Sequence, residues 1–312
     1  IDTWNEGKVA DVEGYYENAK INRVYVDRVH VKKAFAEYTA AYNADDPKIK
    51  LKIDHTYRVA ALCERIAKAA GMCAYDVELA WLSGMLHDVG RFEQIKRYNT
   101  FSDADSVDHA KFGADLLFKD GLISTFLNGM VKCTGYKPGA LEDRYSSDGV
   151  FLYDRLNKSD MEMLELTIRC HNMYRIPQGL NRREQAFCNV LRDADKVDIF
   201  KVNIDTPLEE IYNTTTEELM KSDITDEVLE AFGEEHCILK AIRRTPADTV
   251  IGHVSLAYEL VYDESVRITV EQGYLGKLMH FHSDNEETNR KMAMVREKMD
   301  SHVKKRIGKK DA

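Results

Sequence analysis

The sequence predicts an all-α protein. Apolar residues recur at helical spacing along the chain, and strand-like alternation is scarce. Helix-capping and helix-stopping residues stand at the edges of those apolar runs. The chain has only 5 prolines and no low-complexity linker or repeat, so little interrupts the helices.

The elements follow in order. Asp54 can cap a helix running to about Ala70, where Gly71 stops it. Asp76 can cap the next, which ends near Asp88. The linker between them, "GMCAY", is short, which predicts that the two helices pack antiparallel. The stretch 92–108, "FEQIKRYNTFSDADSVD", reads as a connecting loop. Asp108 can cap "HAKFGADLLFKDG", stopped by Gly121. Residues 132–157 are the least regular and read as a loop or lid. Ser159 and Glu162 offer a capping box before "MLELTIRCH". A long helix is expected over Arg183 to Val202. Thr245-Pro246 fits an N-cap followed by proline at the first helical position. The segment 284–307 reads as a charged, exposed terminal helix. No composition shift marks a boundary, so a single all-α domain over 1–312 is expected, with a helical extension after about residue 203.

Composition narrows the function. At 44% hydrophobic and 31% charged residues the chain reads as soluble and globular. A net charge of −9 argues against a general binder of nucleic acid or anionic membranes. The basic tail "KKRIGKK" (304–310) is the local exception and reads as a solvated helix end favoured by the helix dipole. No stretch is apolar enough to span a membrane, and the N-terminal stretch lacks the apolar core of a signal peptide. The six cysteines are scattered without CxxC spacing; a cytoplasmic protein with reduced thiols is expected.

Polar residues on apolar lines carry the chemistry. Val77, Trp81, Gly84 and His87 follow one helix face, so His87 points inward, with Asp88 about 100° round the helix. The antiparallel hairpin brings His55 beside them. Cys188, Leu191, Asp195 and Ile199 form one line, and a carboxylate in that stripe needs a cation, a metal or a proton. His171 ends the line Met161, Leu164, Ile168, and His109 opens its helix on the face of Gly113 and Leu116. Each has a plain alternative: a hydrogen-bonded core histidine, ordinary helix-end polarity, or Asp195 paired with Lys196 or Arg192. Taken together, imidazole plus carboxylate is the ligand mix for Zn, Mn, Fe or Co. His253, in line with Leu256 and Leu260, reads as a core histidine, and His280 and His282 are too poorly spaced to chelate on a helix.

His55, the doublet His87-Asp88 in "LHDVGR" and Asp195 in "LRDADKVD" resemble the H…HD…D signature of the HD-domain metal-dependent phosphohydrolases, over roughly residues 50–203. His109 and His171 resemble the two extra histidines of that family's binuclear branch. The resemblance implies a helical bundle with one metal on His55, His87, Asp88 and Asp195, and a second on His109, His171 and a bridging Asp88. It favours Asp195, which precedes the lysine, over Asp193, which is expected behind the site or at the surface. One or two divalent transition-metal ions are implied (Fe, Mn, Zn or Co, with Mg possible). The "GYP" signature of the cyclic-dinucleotide branch and the "HDVVED"-like continuation of the alarmone hydrolases are both missing.

The implied reaction is hydrolysis of a phosphate ester of a small metabolite or nucleotide by a metal-activated water, with no long nucleic acid and no membrane as partner. Nearby cations would neutralise transition-state charge: Arg91 first, three residues past the doublet, then Lys111 and Lys196. Gln94, Tyr98, Ser102 and Asp103, in the stretch between ligand-bearing helices, are candidate substrate contacts. An HD-type di-iron oxygenase and a regulatory module without turnover are the alternatives. A zinc peptidase is disfavoured, because no HExxH occurs.

Overall fold

The structure, a computed structural model, describes residues 23–24, 26–43, 45–127, 151–152, 156, 158–207 and 214–308. The expected 132–157 loop, Cys133, the N-terminal stretch through residue 22 and the end of the basic tail therefore lie wholly or largely outside the described residues. The chain is all-α, as its periodicity predicts; the described exception is a parallel pairing of two-residue strands, β1 (Arg23–Val24) and β2 (Phe151–Leu152). By internal packing it divides into two units, Ile1–Leu191 and Arg192–Ala312.

The first unit begins with α1 (Arg28–Thr39), capped by Asp27, which accepts from the His30 amide. Next is α2 (Pro47–Ala69). It starts earlier than expected, because Asp46 caps it and Pro47 takes the first position. Asp54 is not a cap; it stands in the second turn, paired at the surface with Lys50 at 2.8 Å. The stop at Gly71, φ +75°, is as expected. The next helix, α3 (Ala74–Leu86), starts with Cys73 at the cap position. Asp76 does not cap it either: its carboxylate is drawn inward to Arg183 at 2.7 Å.

The hairpin is antiparallel. His55 meets His87, and a Cβ built on Gly84 would lie 2.6 Å from the Ala60 Cα. Only a residue without a side chain lets the two backbones approach that closely. Beyond the His87-Asp88 break the chain does not become a loop. It forms α4 (Val89–Tyr98), because Phe92 and Ile95 turn into the core, and Asn99 ends it at φ +53°. The irregular part is therefore 99–108, not 92–108. Asp108 caps α5 (His109–Ala114), as predicted, accepting from the Lys111 amide; the helix widens over Asp115–Lys119 and stops before Gly121, φ +81°. A short α6 (Ile123–Phe126) follows. Then comes α7 (Lys158–Arg169), in which Ser159 is the second helical residue rather than the residue before the helix. The long helix α8 (Arg182–Asp205) runs from this unit into the next.

The second unit holds the rest of α8, then α9 (Thr216–Lys221), α10 (Asp226–Gly233), α11 (Pro246–Val254), α12 (Asp263–Gln272), α13 (Tyr274–Met279) and α14 (Glu286–Ile307). Thr215 and Thr245 each close a capping box, and Pro246 follows Thr245 as predicted. Asp193 is neither exposed nor idle. It is wholly buried and accepts from the amides of Val261 and Tyr262 and from the Ser265 hydroxyl, which satisfies the start of α12. Nor is α14 exposed all round: Met292, Val295 and Met299 are fully buried, in a core with Phe200, Phe232, Ile251 and Leu275. His253 is half-buried on α11; desolvation of its ring, then the Arg243 and Lys240 charges, pushes its pKa down to about 3.

Candidate metal centre

The first unit brings five of the six predicted ligands together. His55 comes from α2, and His87 and Asp88 from the break after α3. His109 opens α5, and His171 follows the end of α7. All five are buried. Asp88 stands between two histidine pairs. Its Oδ2 lies 3.6 Å from His55 Nε2 and 3.5 Å from His87 Nε2. Its Oδ1 lies 3.5 Å from His109 Nε2 and 3.8 Å from His171 Nε2. One carboxylate thus faces one imidazole pair with each oxygen.

The rings are fixed from behind. His87 Nδ1 donates to the Gly84 carbonyl and His171 Nδ1 to the Ile168 carbonyl, both at 2.7 Å. His109 Nδ1 donates to Asp103 Oδ2 at 2.7 Å. A carbonyl oxygen can only accept, so each ring carries its proton on Nδ1 and turns a lone pair toward Asp88. His109 Nε2 and His171 Nε2 then face each other across 3.0 Å, and His87 Nε2 faces His55 Nε2 across 3.3 Å. In the His109–His171 pair, where both Nδ1 atoms donate, two lone pairs at that separation repel unless a cation or a proton lies within reach of both. The donor set, imidazole nitrogens converging on a two-faced carboxylate, fits divalent transition-metal ions.

Charge agrees with this. Burial would raise the Asp88 pKa, but the Lys52 ammonium, then His87, His109 and Arg91, hold the carboxyl well below its usual range. His109 is pushed down to about 4 by burial and by the Arg91 charge, against the pull of Asp103, so it stays neutral near pH 7. A neutral imidazole is the ligating form.

The predicted residues around the ligands fall in several places. Arg91 is committed to the 99–108 loop: its Nη1 donates to Gln94 Oε1, to the Phe101 carbonyl and to Asp103 Oδ1 at 2.7, 2.7 and 2.8 Å. Its Nε is buried with no hydrogen-bond acceptor among the described residues, 3.8 Å from Asp88 Oδ1. Gln94 is fully buried and spends its amide on Asp103, Ser106 and the Val107 carbonyl, which pins the same loop. Ser102 is half-buried, its carbonyl accepting from Ser106. Tyr98 is exposed at the end of α4. The Lys111 ammonium is half-exposed and paired with Asp108 at 2.9 Å.

The sixth predicted ligand, Asp195, stands on α8, among the residues of the second unit. Lys196 is buried beside it. Burial, then the Arg192 charge, pushes its pKa down to about 8, and its ammonium donates to the Arg192 carbonyl at 3.4 Å.

Two features escaped the sequence reading. Lys52, one turn before His55 on α2, donates to Asp88 Oδ2 at 2.7 Å and sits over the Phe101 ring. Its i−3 spacing from a ligand was the available signal. Gly90 is the other. A Cβ there would stand 2.5 Å from the His109 carbonyl oxygen and 2.7 Å from the Gly113 nitrogen. Two glycines let α4 and α5 cross closely enough for Asp88 and His109 to meet.

Comparison with curated proteins and with solved structures finds no match. Residues 53–201 match the family model of the HD domain, a stretch that holds every one of the six predicted ligands. The chain carries an HD domain over those residues.

Proposed function

We propose that the chain is a metal-dependent phosphohydrolase acting on a phosphate ester of a small metabolite or nucleotide. One observation carries the reading: the Asp88 carboxylate turns one oxygen to each of two imidazole pairs. On this reading His55, His87, Asp88 and Asp195 hold one ion, and His109, His171 and Asp88 hold a second. When bound, such a pair supplies an acidified water and positive charge for the oxygens of a phosphate.

The chain's own residues prepare the place. Asp103 keeps the His109 proton on Nδ1 and so keeps Nε2 aimed at Asp88. Arg91 and Gln94 hold the loop that carries Asp103. Lys52 brings an ammonium to the rim of the cluster, its side chain still partly open to solvent. It reaches Asp88 directly at 2.7 Å, whereas Arg91 turns its Nη1 to the loop. Lys111 and Lys196 hold their own helices. A cytoplasmic setting goes with this reading: five described cysteines are free thiols, and no described helix is long and apolar enough to cross a membrane.

The test is metal analysis of the pure protein, then a phosphoester screen over nucleotides and sugar phosphates with Mn, Fe and Co. Turnover abolished by chelation and by Asp88→Ala is the expected result. No turnover with any of these metals, together with oxygen uptake by a reduced iron form, would replace the hydrolase with an oxygenase.

A further inference from the structure

A second cluster of chemistry stands in the second unit, between α10 and α14. There a cleft of about 550 Å³ opens. Small-molecule sites fall in the range of roughly 300–1,000 Å³. One face of α14 lines it at helical spacing: Met294, Lys298, Ser301, His302 and Lys305. The floor is apolar, with Leu229, Phe232 and Val295. Met294 is 47% exposed, a large apolar side chain open at the edge of that floor.

Three observations set this cleft apart from an ordinary surface groove. The His302 Nε2 atom is buried, and no described residue partners it. The ring stands edge-on to Tyr258 at 4.8 Å, and behind it the Tyr258 hydroxyl is buried with no partner among the described residues. A buried polar group left unbonded is unfavourable, so His302 Nε2 favours a ligand that bonds to it. Finally, Glu235 holds φ +59°, a left-handed conformation that side chains disfavour, and its Oε2 lies 3.8 Å from His302 Nδ1. That contact is too long for a hydrogen bond, and it leaves the buried Nε2 to the polar edge of a ligand.

The lining mixes cations, carboxylates and apolar surface. A lipid-like anion would satisfy Lys305 and the floor but leave Glu235 and Glu297 unmatched. A bare phosphate would leave the apolar floor unmatched. A nucleotide has a use for each: phosphate for Lys298, Lys305 and the Ser301 hydroxyl, ribose hydroxyls for a carboxylate, and a planar base whose polar edge meets His302 and whose face covers the apolar floor. The basic end of α14, read from sequence as a solvated helix end, supplies the phosphate side.

We propose that the cleft between α10 and α14 is a binding site for a nucleoside monophosphate. It rests on residues of the second unit alone and stands or falls separately from the hydrolase reading.

The experiment is calorimetric titration of the full chain carrying Asp88→Ala, which removes the metal cluster's own anion binding. AMP, GMP, CMP, UMP and inorganic phosphate are the probes. At least one nucleotide should bind once per chain, and more tightly than inorganic phosphate. Lys305→Glu and His302→Gln should each weaken it by about tenfold or more, the loss of one hydrogen bond to a charged or buried group. Lys305 is exposed, so its variant reports even where a change at His302 disturbs the fold. The proposal is overturned if no nucleotide binds, if binding survives Lys305→Glu undiminished, or if inorganic phosphate binds as tightly as the nucleotide.

Discussion

Replacing Gly90 with alanine should damage the protein at the crossing that assembles the metal centre. The new methyl would stand 2.5 Å from the His109 carbonyl oxygen, where ordinary contact begins at 3.4 Å. The shortfall is about 0.9 Å, and the obstructing atoms are backbone, which cannot rotate away as a side chain can. Overpacking of this kind costs about 1–3 kcal/mol, set against roughly 0.5–1 kcal/mol gained when alanine replaces a helical glycine. A net loss of about 1–2 kcal/mol is expected. The partner position gives an internal scale. A Cβ on Gly113 meets Gly90 at 3.0 and 3.3 Å, a shortfall of about 0.4 Å at most. Gly113→Ala should therefore lie near neutral. Urea unfolding followed by circular dichroism measures both, and metal titration of the folded Gly90→Ala protein should show weakened binding at His109. A Gly90→Ala protein as stable as the parent, or a Gly113→Ala protein that is the worse of the two, would refute the close-crossing argument.

Asp103→Asn should lower affinity for the second ion by about 10- to 100-fold, the usual effect of removing the group behind a ligating histidine; plasma emission analysis should show occupancy moving toward one ion per chain, as for His109→Ala and His171→Ala. Lys52→Met should lower kcat/KM by roughly 10- to 1,000-fold with the metals still bound, as for one lost charge-stabilising donor; an unchanged value would assign Lys52 to Asp88 alone. Arg91→Met should free the 99–108 loop, read as faster proteolysis within it, and Arg91→Lys should restore only part of the protection because an ammonium cannot reproduce the fork. The pKa of His253 falls from 6.5 to about 3 on folding, so the unfolded chain binds the proton more readily. That contribution to stability is whole above about pH 6.5 and is lost as the pH falls toward 3. His253→Gln should flatten this acid limb in urea midpoints taken at neutral and acid pH; an unaltered limb would show that other groups carry it.

The sequence revealed most where a local rule has a single answer. Gly71, Gly121, Asp108 and Thr245-Pro246 punctuate the helices where expected, because positive φ and N-capping admit few residue types. It misled where two residues competed for one role. Asp54 and Asp76 have the right chemistry for caps, but Asp46 and Pro47 start one helix earlier, and Arg183 claims Asp76. The stretch after the doublet looked like a loop because its charged residues mask an inward face made of Phe92, Gln94 and Ile95. The histidines of the centre were legible from periodicity, which says which way a side chain points. The partners of Arg91 and Lys52 were not, since they depend on how separate helices meet. The same limit hid Asp193, whose acceptors are satisfied by residues about seventy positions away.

Arg183 has a further consequence. At the start of α8 its guanidinium reaches Asp76 on α3 and Asp160 on α7, each at 2.7 Å, and Tyr75 closes the group by donating to Asp160 at 2.6 Å. An α-helix is stiff in torsion, so pinning the azimuth of its first turn indexes every side chain beyond it. Asp195 lies twelve residues on, roughly 18 Å along the axis. One residue inserted between them would leave every identity intact yet swing that carboxylate by about 100°. Seven inserted residues would return it to within about 20° of its direction, though two turns further along. Across this stretch the chain counts in turns rather than in residues.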